Sequence, residues 1–191
     1  MSSLDAQIRE LEGKLNAIKT QEVPKASSSA LNKVSSKIKT RVVRGTAKET
    51  KVSAKHVRKR VYIRKSKVKT QRAKVKVYVR DISAISLLNN PKLGPTKRKV
   101  AGKKLTNAFI ADGSRGKGKY KKGGGFQKTS LKNKQVLRRS TDARYPLEAV
   151  GINIRKAATR ITKKVTQRVM KDEFQILYAR DLNFRLKKYA I

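Results

Sequence analysis

The 191-residue chain carries 51 Lys and Arg against 12 Asp and Glu, a net charge of +39 that opposes its own compaction and attracts any polyanion. With no Cys and one His it has no disulfide, no thiolate chemistry and no zinc site of the usual type, and no apolar run approaches the roughly 18–20 residues of a membrane span. Aromatics make up 5% with no Trp, so a lean core must rest on Val, Ile, Leu and Ala.

Leu4, Ile8, Leu11, Leu15 and Ile18 recur at spacings of four and three, the a/d seam of a coiled coil, which predicts an amphipathic helix over 1–19. Two heptads are marginal alone, so the seam must dock on the same chain or on a neighbour, and packing on the same chain is the simpler expectation. Residues 20–29 (TQEVPKASSS) read as a linker, and a single α+β domain is expected over 30–191. It opens with a helix from near Ser29, with Ala30, Leu31, Val34, Ile38 and Val42 on one side, broken or ended at Gly45. KETKVSAKHVRKRVYIRK reads as a further short helix with Val52, His56 or Val57, and Arg60 or Val61 on one side.

From Thr70 the period becomes two: Val75, Val77 and Val79 alternate with Lys74, Lys76, Tyr78 and Arg80, a half-buried strand that Asp81–Leu88 extends or pairs with. Asn89-Asn90-Pro91 and Gly94-Pro95 punctuate a loop. Strands are expected over Leu105–Ala111 and Gln135–Arg139, flanking a long flexible Gly/Lys loop at 112–134. Ile154, Ala158, Ile161, Val165, Val169 and Ile176 form the stripe of a long closing helix whose basic charge Asp172 and Glu173 interrupt, and ILYARDLNFRLKKYAI continues it or follows as a second helical segment. The fold class is α+β: N-terminal helices, a small antiparallel sheet with long basic loops, and a long C-terminal helix.

Catalytic constellations are absent. Gly113–Lys119 fits the G-x-x-x-x-G-K of a phosphate-binding loop, but Tyr120 stands where Mg²⁺ needs Ser or Thr, and three glycines follow where a helix should start. Asp172 and Glu173 are adjacent carboxylates that do not share a helix face, and His56 has cationic company. No cofactor or metal is expected. The charge is the feature that remains: residues 51–140 hold 29 Lys and Arg against Asp81 and Asp112. The candidate contacts for nucleic acid or an acidic partner are Lys55, Arg58, Lys59, Arg60, Arg64, Lys65, Lys67, Lys69, Lys97, Arg98, Lys99, Arg115, Lys117, Lys119, Lys121 and Lys122; Leu4–Ile18 is the candidate subunit-docking seam. Eight such cations on duplex phosphates would give a log–log salt slope of about −7. Without an RNP-type aromatic run or zinc-finger spacing, readout would be of backbone rather than sequence. Composition alone favours a ribosomal or nucleoid type of RNA- or DNA-binding protein.

The order of segments adds a second line. Ala30, Asn32 and Val34 in SSALNKVSSKI, then Glu49-Thr50-Lys51-Val52, then the Lys-Val strand, then Asn107–Ile110, and Arg144–Leu147 before the closing helix resemble the phage minor tail protein Z family over about 28–170. The resemblance implies a non-enzymatic structural protein at the head-proximal end of a tail. Its implied partners are the tail terminator, tail tube or neck proteins and the viral DNA end, in a homo-oligomeric, sixfold ring, with no membrane involved. It implies residence in the virion tail or neck, after assembly in the host cytoplasm.

Overall fold

The computed structural model describes residues 3–88, 92, 94–96, 99–112, 134–141 and 147–189. The chain divides into two compact units. One takes in Met1–Gly45, Val57–Tyr78 and Ala158–Ile191, the other Thr46–His56 and Val79–Ala157. Both are discontinuous in sequence, and residue 30, where the α+β domain was expected to start, is not a unit boundary.

The first unit is built on helices. Helix α1 (Ser3–Ala17) runs through a π-helical turn (Ile18–Glu22) into α2 (Val23–Thr50). Residues 20–29 are therefore helical, not a linker. Pro24 has no N–H to give, and it falls at the second position of α2, just after the π turn, where the Val23 N–H reaches the Ile18 carbonyl. The serines that suggested a linker lie against α5 (Phe174–Leu186): Ser28 is buried, and Ser29 hydrogen-bonds Asp181. Tertiary packing has overridden local propensity.

Ala26, Ala30, Val34, Ile38 and Val42 form the buried stripe of α2, four residues apart. The helix does not stop at Gly45. A Cβ there would lie 3.0 Å from Ile161 Cγ2 of α4 (Arg155–Asp172), so this glycine permits close helix approach and terminates nothing. The helix ends instead at Lys51, whose φ of 53° is the left-handed turn of a C-cap. Val57, Val61, Ala158 and Val169 complete the core of this unit, and each buried Val contributes about 1.5–3 kcal/mol.

The segment expected as one short helix over 48–65 splits in two. Helix α3 (Ala54–Arg58) is a single turn, and Val61–Arg64 is strand β1, paired antiparallel with β2 (Lys74–Val77). Val57 and Val61 are both buried, and their four-residue spacing mimicked a helix face. After α4 the chain breaks at Glu173 and resumes as α5. Ile176 leaves the α4 stripe and is 67% exposed.

The second unit carries the sheet. Strands β4 (Gly94–Thr96), β7 (Ala108–Asp112), β8 (Lys134–Arg139) and β9 (Leu147–Ala149) form an antiparallel sheet in the order β4-β7-β8-β9. Gly94-Pro95, expected in a loop, is thus part of an edge strand, where Pro is tolerated. Strand β3 (Ile82–Ser83) pairs with β10 (Gly151–Ile152), and β5 (Lys99–Val100) with β6 (Lys103–Lys104) through Ala101-Gly102, both at positive φ as a type I′ hairpin demands. Val136, Ile110, Ala108, Ile82, Ala84, Val52 and Ile154 fill its core. The Gly/Lys segment 113–133 joins β7 to β8, which pair out to Asp112↔Lys134. That segment, including the Gly113–Lys119 motif, and Arg144–Pro146 of the family resemblance lie outside the described residues.

Candidate functional site

Two sets of cations in the first unit meet opposite fates. Along α2, basic side chains are matched to carboxylates. Glu22, 1% exposed, accepts from Lys188 at 2.6 Å and from Lys25 and Arg185 at 3.3 Å each. The Lys188 ammonium above all, aided by Lys25 and Arg185, outweighs burial and holds the Glu22 carboxyl down at about 2. Lys33 pairs with Asp181. Glu173 takes Lys37 at 2.6 Å and Arg41 at 2.5 Å, and Lys37 foremost lowers its carboxyl below the ordinary range. These contacts fasten α5 and the α4–α5 junction to α2. An open groove of about 690 Å³ over this face is lined by Lys25, Lys33, Lys37, Lys65 and Arg185 with small polar residues between them.

The β1–β2 ribbon is different. Its register is Val61↔Val77, Tyr62↔Lys76, Ile63↔Val75 and Arg64↔Lys74. Directly opposed residues share a face, so Val61, Ile63, Val75 and Val77 turn inward while Tyr62, Arg64, Lys74 and Lys76 turn outward and are exposed. Tyr78 follows on the outer face, its N–H bonded to the Arg60 carbonyl at 2.8 Å. Its ring meets that of Tyr62 edge-to-face, centroids 5.4 Å apart. Arg64 opposite Lys74 is a like-charge pair, which costs a few tenths of a kcal/mol.

The connecting loop adds Lys65, Lys67, Lys69 and Arg72, all exposed. It is held in place from one side. The Ser66 N–H donates to Asn32 Oδ1 at 2.7 Å, and Asn32 Nδ2 donates to the Ser66 carbonyl at 3.1 Å, a two-point clamp from α2. The Thr70 and Gln71 N–H groups both close on the Lys67 carbonyl, with Gln71 at a φ of 42°. Among the described residues no carboxylate pairs with Arg64, Lys65, Lys67, Lys69, Arg72, Lys74 or Lys76. Such a face can neutralise a polyanion. It offers no acid–base pair, and no metal-holding cluster occurs among the described residues.

Of the candidates from sequence, Arg64, Lys65, Lys67 and Lys69 come together on this ribbon and loop. Arg58 and Lys59 are exposed at the end of α3 and just beyond it, while Arg60 is half-buried and engaged. Lys55 belongs to the second unit, as does Lys99, which stands opposite Lys104 in the β5–β6 hairpin. Lys97, Arg98, Arg115, Lys117, Lys119, Lys121 and Lys122 lie outside the described residues. Sequence reasoning missed Tyr62, Tyr78, Lys74 and Lys76 as one surface, and the clamp of Asn32. The signal was present in two short stretches, VYIR and KVKVY, each alternating Val or Ile with Tyr, Arg or Lys.

Packing of the α1 seam on the same chain, the simpler expectation, is not seen among the described residues: Leu4 is 63%, Ile8 46%, Leu11 46% and Leu15 65% exposed. Ile18, in the π turn, is half-buried. No helix among the described residues is long and apolar enough to cross a membrane.

The described residues thus combine long helices and small antiparallel sheets with a cationic face and an exposed apolar seam. The sequence comparisons give the family: the chain belongs to the prophage minor tail protein Z (GPZ) family, whose profile matches residues 3–190. It is 31% identical over 162 residues to the tail completion protein of Escherichia phage N15, covering 83% of each chain. No solved structure matches. Membership makes the chain a structural protein of a phage tail and sets aside the ribosomal or nucleoid reading that composition alone favoured. The Asn of the family resemblance, Asn32, is the residue that clamps the ribbon loop, and the Lys51-Val52 pair caps α2 and enters the core.

Proposed function

We propose that this protein completes the tail at its head-proximal end by docking, with no catalytic step. The α1 seam of Leu4, Ile8, Leu11, Leu15 and Ile18 seats on a tail terminator, tail tube or neck protein or on a second copy in a ring, sixfold in keeping with tail symmetry. The β1–β2 ribbon, joined by the other basic segments Lys55–Arg60, Lys97–Lys99 and Arg115–Lys122, neutralises the phosphates of the DNA end at the top of the tail. One observation carries the reading: in a minor tail protein, a ribbon clamped by Asn32 presents a row of cations that no carboxylate meets among the described residues. A surface that builds in the Arg64↔Lys74 repulsion is explained by an anion supplied from outside.

Mass spectrometry of separated heads and tails tests the location. The chain is expected with tails, at a few copies per particle. Its absence from virions would refute the proposal. Leu11→Asp should leave the unfolding free energy within about 0.5 kcal/mol of wild type, since Leu11 is exposed, yet strip the protein from tails. Normal incorporation of that variant would remove the seam from the account.

A further inference from the structure

We infer that the outer face of the β1–β2 ribbon is a platform for single-stranded nucleic acid, on which Tyr62 and Tyr78 stack against bases while Arg64, Lys74, Lys76 and the loop lysines hold phosphates. The inference deepens the DNA-contact part of the proposed function and rests on it. Cations alone would suit an acidic protein or a duplex equally. The tyrosines decide between them.

Tyr62 is 54% and Tyr78 52% exposed, on the face where cations cluster and not over the core. Their edge-to-face contact, at 88° between ring planes, uses one face of one ring. Aromatic surface is thereby left open beside phosphate-binding groups. That combination is what an unpaired strand needs, because each of its bases has a free π-face, whereas a duplex keeps its bases stacked on one another. An acidic protein surface would gain from the cations and make no special use of the rings.

The geometry also suits a strand that runs along the ribbon. Side chains on one face of a β-strand repeat every second residue, about 6.8 Å apart. Tyr62 and Arg64 on one strand, and Lys74, Lys76 and Tyr78 on the other, thus place the aromatic pair at one end and the cations toward the loop. The clamp from Asn32 to Ser66 and the buried Val61 keep this face ordered before anything binds, so little ordering entropy is lost on binding.

The test is fluorescence anisotropy of the full chain with a labelled oligothymidylate and with a labelled duplex of matched length, at one salt concentration. Wild type is expected to prefer the single strand. The Tyr62→Ala/Tyr78→Ala double variant should lose roughly tenfold or more in affinity for the single strand, with duplex affinity and salt slope unchanged. Tyr62→Phe/Tyr78→Phe, which keeps the rings, should restore the preference and guards against a folding artefact. If the Ala variant binds both probes like wild type, or weakens on both alike, the stacking platform is overturned while a phosphate contact survives. If the wild-type chain binds neither probe, the DNA reading of the ribbon falls as well, and an acidic protein becomes the partner.

Discussion

The α2 face and the β1–β2 ribbon belong to the same unit and are equally rich in Lys and Arg, but only one of them is neutralised. On α2, Lys25, Lys33, Lys37 and Arg41 meet Glu22, Asp181 and Glu173, three of the chain's 12 acids, all placed where helices must be held together. On the ribbon, Arg64, Lys74 and Lys76 share a face with two tyrosines and meet no acid among the described residues. Charge density in the sequence is thus a poor guide to function in this protein. What separates a structural cation from a binding one is the position of a few carboxylates, most of them more than a hundred residues away along the chain.

If that contrast is right, disturbing the α2 side should damage the fold and disturbing the ribbon should damage binding. The largest stability effect is expected at Glu22. Glu22→Gln leaves Lys188, Arg185 and Lys25 without their counter-charge and should lower the thermal midpoint well below that of Glu10→Gln, a change at an exposed acid. Because the folded carboxyl is held down at about 2 from an ordinary 4.5, its contribution is complete above pH 4.5 and is lost as pH falls toward 2. The gap between wild type and Glu22→Gln in thermal scans should therefore close over that window, and a gap constant down to pH 2 would show that the carboxylate's charge is not what stabilises the fold there.

A smaller loss is expected from Asn32→Ala, which removes the two-point clamp on Ser66 and should cost about 1–2 kcal/mol. Hydrogen exchange should quicken in residues 64–73 and remain slow in the middle of α2. Equal protection in the variant would mean the loop is ordered by something else. The smallest effect has the opposite sign. Lys74→Glu turns the Arg64↔Lys74 repulsion into an attraction and should raise stability by about 0.2–1 kcal/mol while weakening nucleic-acid binding. Denaturant melts and anisotropy on the same sample would reveal whether stability and binding trade against each other at this pair.

Much of the fold was legible wherever a residue's environment is set by its own helix or strand. The stripe of Ala30, Val34, Ile38 and Val42 and the alternation of Val75 and Val77 appear as the periodicities indicated. What failed was decided by distant partners. Thr20–Ser29 became helix because Asp181 and its neighbours pack on it, and Gly45 became a contact for Ile161 and not a stop. Val57 and Val61 looked like one helix face because β1 is a strand only when β2, ten residues on, completes it. The ribbon site was half legible for the same reason: its cations form runs, but the meeting of Tyr62 with Tyr78 follows from register alone.

The salt dependence of DNA binding puts the contrast to its most direct test. Arg64→Glu/Lys67→Glu/Lys69→Glu/Lys74→Glu should flatten the log–log slope by about 3, while Lys25→Gln/Lys37→Gln should leave it unchanged, because Glu22 and Glu173 keep other cations and those lysines are already neutralised. Equal slopes for all three proteins, or a slope that falls only when the α2 lysines are removed, would contradict the account.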